Sequence, residues 1–101
     1  MKGVKSSMVK HIVFWKLRED CDKAAAVREI ADKLEALVGV VPGLTKAQVR
    51  RAYTGDYDAV LYSELDSREA AEAYQTHPAH LEAKKTVHGY AVGRAACDFE
   101  V

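Results

Sequence analysis

At 101 residues the chain has room for one hydrophobic core and not for two. With 49% hydrophobic and 30% charged residues it has the composition of a folded domain rather than a disordered segment. Fifteen Lys and Arg against fifteen Asp and Glu give no net charge, which excludes the basic excess of a nucleic-acid or anionic-membrane binder. No apolar run approaches the ~18–20 residues that span a bilayer. Two cysteines, Cys21 and Cys97, are too few for a disulfide framework, so a cytoplasmic location is expected.

Residues 1–7 read as a disordered polar lead-in and residues 8–101 as the folded domain. Met8 to Leu17 reads as a strand with Val9, His11, Val13 and Trp15 on one face and Ile12 and Phe14 on the other, so both faces are apolar. Asp20 or Asp22 can cap a helix over Lys23 to Val38, whose stripe is Val27, Ile30, Ala31, Leu34, Leu37 and Val38, with Gly39 as its C-terminal cap. Thr45 to Tyr53 is a polar strand expected at an exposed position. Tyr57 to Leu65 is a second strong strand, with Leu61 on one face and Val60 and Tyr62 on the other. Asp66 or Ser67 caps a short helix through Gln75. Pro78 lacks an amide proton and suits the first position of a new helix, so a bend at Thr76-His77 leads into a second segment ending near Tyr90. Gly93 to Val101 alternates as a last strand.

The order β-α-β-β-α-β predicts a ferredoxin-like α+β fold, a four-stranded antiparallel sheet with helices on one face. Ile12, Phe14, Val60 and Tyr62, or their mirror set, are then left uncovered. Each large apolar side chain is worth roughly 1.5–3 kcal/mol when buried, a large share of a small domain's stability. A second copy across a two-fold axis would cover them, so a homodimer is expected.

His80 falls on the same helical face as Ala83 and Val87, pointing inward, and His11 lies on a buried strand face. Tyr74 is one turn before His77. One reading is an acid–base site in which His80 moves a proton and Tyr74 holds a substrate oxygen. The other is a hydrogen-bonded core network that ties the kinked helix to the sheet. His77 and His80 are spaced three apart, but Pro78 stands between them and no Cys or carboxylate completes a ligand set, so no metal and no cofactor are expected. Cys97 reads as a packing residue, Tyr53, Tyr57, Tyr62 and Tyr90 as core or interface residues, and Lys84-Lys85 as a solvated pair.

The run Met8-Val9-Lys10-His11-Ile12-Val13-Phe14-Trp15-Lys16, the turn Val41-Pro42-Gly43-Leu44, the strand from Tyr57-Asp58 to Leu65 and the segment Tyr74-Gln75-Thr76-His77-Pro78-Ala79-His80 together resemble the stress-responsive A/B-barrel (Dabb) family. The resemblance covers Met8 to Val101. It implies a dimeric α/β barrel built from two ferredoxin-like chains. Most bacterial members of the family have no established activity, and the expected function is the binding of a small apolar or carbonyl-containing molecule between sheet and helices. A plant polyketide cyclase of the family implies an alternative: His80 as general base, Tyr74 as carbonyl polariser, and His11 ordering the pocket. Val13, Ile30, Leu34, Leu61 and His77 are the other expected ligand-binding residues. The first-helix stripe of Ile30, Ala31 and Leu34 departs from the aromatics of that plant enzyme. A cofactor-free monooxygenase of the dimeric α+β barrel group is a further alternative, drawing on the fold and Trp15 without a motif of its own.

Overall fold

Strand β1, Val9–Leu17, alternates between its two faces. Val9, His11, Val13, Trp15 and Leu17 are buried, while Phe14 and Lys16 are exposed. The computed structural model describes residues 7–101, so the expected lead-in, apart from Ser7, lies outside the described residues. Helix α1, Lys23–Glu35, starts where the Asp22 carboxylate accepts the Ala25 amide at 3.1 Å, and it buries Ala26, Val27, Ile30 and Leu34. It ends three residues before the expected Val38. Leu37 and Val38 bond back to Leu34 and Glu35, a tightened last turn, and Gly39 (φ 90°) sits in the turn beyond. Glu35 instead reaches the sheet, where its carboxylate accepts the Val49 amide at 2.9 Å.

Strand β2, Leu44–Arg51, is an edge strand, as its polarity implies. It stops short of Tyr53, because Ala52 bonds to Asp58 and closes the turn; Tyr53 is 98% exposed and belongs neither to the core nor to a ring cluster. Strand β3, Ala59–Leu65, buries Ala59, Leu61, Ser63 and Leu65. Helix α2, Arg68–Thr76, begins at Ser67, whose hydroxyl accepts the Ala70 amide at 3.0 Å. Helix α3, Pro78–Tyr90, follows after the bend, and strand β4, Ala91–Glu100, leaves it directly rather than at Gly93.

The strands lie in the order β2-β3-β1-β4, all antiparallel, which with the helices on one face is the ferredoxin-like α+β fold. Pairing of β1 with β4 sets His11 opposite Asp98, Val13 opposite Ala96 and Trp15 opposite Arg94, so these β4 residues share the helix side. Cys97 therefore lies on the other face and is exposed in the single chain, not packed. That face also carries Ile12, Val60 and Tyr62, with Phe14 39% and Phe99 50% exposed.

Candidate functional site

Pro78 creates the first element of the site. In a continuous helix the Tyr74 carbonyl would accept the amide of residue 78, and proline has none. The freed carbonyl accepts instead from His80 Nδ1 at 2.8 Å, with a longer bond from the His77 amide at 3.3 Å. A carbonyl oxygen only accepts, so the His80 proton is on Nδ1 and its Nε2 keeps a lone pair. The two rings stack, with centroids 3.9 Å apart and planes 10° from parallel.

Across the layer, His11 projects from β1 at 5% exposure. Its Nδ1 meets the Asp98 carboxylate of β4 at 2.5 Å, and its carbonyl accepts the Ser63 hydroxyl at 2.9 Å. A carboxylate likewise only accepts, so Nδ1 carries a proton, and Nε2 has no hydrogen-bond partner among the described residues. The Tyr74 ring stands edge-on to His11 at 5.9 Å and 77°. Tyr74 is fully buried, and its hydroxyl has no hydrogen-bond partner among the described residues.

A cavity of about 50 Å³ opens beside the two imidazoles, room for about three to five waters. His11, Val13, Trp15 and Leu61 of the sheet, Leu34 of α1 and His80 and Val87 of α3 form its walls, and Gln75, Lys84, His88 and Arg94 complete the lining. Of the expected ligand-binding residues, His11, Val13, Leu34 and Leu61 border it, and His80 does too. Ile30 and His77 do not, and neither does Tyr74, the expected carbonyl polariser, which is fully buried. Ile30 is sealed in the core, and His77 is the cap of α3, its Nδ1 accepting the Ala79 amide at 3.1 Å. Of the two lysines expected to be solvated, Lys85 is exposed and pairs with Glu82 at 3.0 Å, while Lys84 is half-buried at the cavity. A larger groove of about 280 Å³ lies on the far side of Asp98, between Arg68, Ala71 and Glu72 of α2 and the end of β4, away from both imidazoles. Among the described residues no three His, Cys, Asp or Glu side chains converge as metal ligands.

Burial governs the titration of the site. It pushes the Tyr74 phenol up to about 12, so the hydroxyl keeps its proton. Burial also brings His80 down to about 4, against the opposing effect of its bond to the Tyr74 backbone; the positive charges of Lys84 and Arg94 lower it further, as does His11 when it is protonated. In the sequence Asp98 reads only as a polar residue of the last strand. Lys84 and His88 follow His80 at helical four-residue spacing, a signal that was present.

The model of the stress-responsive A/B barrel domain family matches residues 9–101. A dimeric protein of unknown function and ferredoxin-like fold from Bacteroides fragilis is 31% identical, with a TM-score of 0.84 over 97% of this chain and 100% of that one. A dimeric ferredoxin-like protein of unknown function from Thermobifida fusca is 22% identical, with a TM-score of 0.81 over 95% of this chain and 92% of that one. The hydroxynitrile lyase of Passiflora edulis shares the fold at 14% identity, with a TM-score of 0.81 over 95% of this chain and 94% of that one. No curated protein matches the sequence.

The unpartnered phenol makes Tyr74→Phe an informative variant. Removing an unsatisfied buried hydroxyl should leave stability unchanged or raise it by about 1–3 kcal/mol in urea denaturation. A loss of about 1 kcal/mol would mean that the hydroxyl is bonded. The His80 imidazole takes its proton near 6.5 when unfolded and only near 4 when folded. Its neutral burial is thus fully tolerated above 6.5, and stability is lost as the pH falls towards 4. The wild type should lose ~3 kcal/mol over that range relative to His80→Gln, and a stability gap independent of pH would contradict this.

Proposed function

The chain belongs to the stress-responsive A/B barrel domain (Dabb) family, and on that premise we propose that it acts as a homodimer binding a small carbonyl compound beside His11 and His80 and exchanging a proton with it. The carrying observation is the pair of imidazoles at one cavity, each with Nδ1 bonded and Nε2 free. The Asp98–His11 bond has the form of an oriented general base. A base works best with a pKa near the working pH, and His80, brought down to about 4, is a weak one. The carboxylate of Asp98 behind its Nδ1 favours His11 rather than His80 for removing a proton from the carbon next to a carbonyl. The C–H bond breaks, N–H forms at His11 Nε2, and negative charge gathers on the carbonyl oxygen. Neutral His80 Nε2, at the cavity wall, can accept from a substrate hydroxyl, whereas the Tyr74 phenol is fully buried and does not line the cavity. The Passiflora edulis hydroxynitrile lyase is an enzyme built on the same fold.

The homodimer rests on the uncovered sheet face. Phe14 lies 5.6 Å from the ring of Tyr57, and Ile12, Val60 and Phe99 extend the patch, with Lys10 and Lys46 over the Tyr62 ring at its rim. The Bacteroides fragilis and Thermobifida fusca proteins are described as dimeric. An alternative is a binder without chemistry, which the tie of His80 to the backbone favours.

Sedimentation equilibrium at micromolar concentration should give about 22 kDa, twice 11.2 kDa, and Phe14→Asp should give the single chain. A wild-type species of 11.2 kDa would overturn the dimer. Proton exchange is read by deuterium uptake next to the carbonyl of 2-pentanone in D2O at neutral pH. The wild type should accelerate it, and His11→Gln should lose roughly 10²-fold or more of that acceleration. Equal rates with the wild type and His11→Gln would sink the catalytic reading.

A further inference from the structure

We infer that the cavity takes a small molecule bearing a carboxylate, held at the mouth by Lys84 and Arg94 while its uncharged end reaches the imidazoles. The inference rests on the reading of the cavity as a carbonyl site and adds the class of ligand. Its ground is the distribution of charge. The whole chain is neutral, yet among the described residues no Asp or Glu lines this cavity, and two cations do. Lys84 comes from the middle of α3, four residues after His80, and Arg94 comes from β4, opposite Trp15 on the helix side of the sheet. Neither has a hydrogen-bond or ion-pair partner among the described residues. Their neighbours do: Lys85 pairs with Glu82, Lys23 with Glu19 and Asp58, Arg50 with Glu35, and Arg68 with Glu100.

Two unpaired cations at one cavity repel each other, and an anion between them relieves that repulsion. The walls behind them, Val13, Trp15, Leu61 and Val87, are apolar, so the field at the mouth is screened less than on an open surface. Asp98 is the nearest carboxylate on the same strand face, but it is bonded to His11 and lines the groove on its other side. Arg94 also lowers the His80 pKa, as does Lys84, so both fields reach the imidazole. The cavity lies on the helix side of the sheet, opposite the face assigned to the dimer. The small volume admits only the short uncharged end of the ligand, with the carboxylate outside it at Lys84 and Arg94, and favours a short chain over an extended or polycyclic ligand.

The test measures binding of three probes of similar length by ligand-observed NMR: levulinate, which has a ketone and a carboxylate, 2-pentanone, which has the ketone alone, and pentanoate, which has the carboxylate alone. Levulinate should bind about tenfold tighter than 2-pentanone at low salt. That advantage should shrink with added salt and vanish in the double variant Lys84→Gln with Arg94→Gln, while Lys85→Gln retains it. If 2-pentanone binds as well as levulinate, the anion inference falls and the carbonyl reading stands. If pentanoate binds as well as levulinate, the anion inference stands and the carbonyl reading falls. Failure of all three to bind overturns both.

Discussion

The missing amide proton of Pro78 leaves the Tyr74 carbonyl without its helical donor, and the site is organised around that vacancy in the hydrogen-bond ladder. An unpaired buried carbonyl is unfavourable, and the first available donor on the new helix is His80 Nδ1. One bond thereby holds the kink, selects the tautomer and stacks the imidazole on the Tyr74 ring. The His77 ring caps the second helix from the other side of the bend, so two histidines three residues apart serve opposite roles. The one lines the cavity, while the other is spent on helix geometry.

The sheet completes the site by register. His11 and Asp98 are direct cross-strand partners on the covered face, and their side chains are close enough to bond without either strand bending. Because Asp98 is itself partly open to the neighbouring groove, it can orient His11 without the full penalty of a buried charge. The result is asymmetric. Two imidazoles share one protonation pattern, but one is oriented by a carboxylate and the other by a neutral carbonyl in a desolvated place. On the proposed reading, such a pair divides into a proton acceptor, His11, and a neutral hydrogen-bonding surface, His80. The unpartnered Tyr74 hydroxyl beside them is the largest outstanding polar debt of the core.

Charge follows the same logic of position over composition. A chain with equal numbers of acids and bases still concentrates two unpaired cations at one opening, because α3 and β4 converge there. The opposite face of the sheet keeps its aromatic and aliphatic residues out of contact with any helix, so the two faces have separate tasks: one encloses the cavity, the other is free to associate.

Local chemistry in the sequence was enough for the element order, the kink at Pro78, the inward direction of His80, the polar edge strand and the two-sided apolar character of β1. Each depends on periodicity or on a single residue's covalent limits, which need no knowledge of the rest of the chain. Helix α1 is shorter than its hydrophobic spacing implies: the spacing continues through Leu37 and Val38, but Glu35 turns to bond the sheet and the last turn tightens. Tertiary structure alone decided that Asp98 orients His11, that Arg94 joins Lys84, that Cys97 faces outward and that Ile30 and His77 lie off the cavity. These are facts of register and packing between segments up to 87 residues apart, and a one-residue slip of β4 would have moved every one of its side chains to the other face.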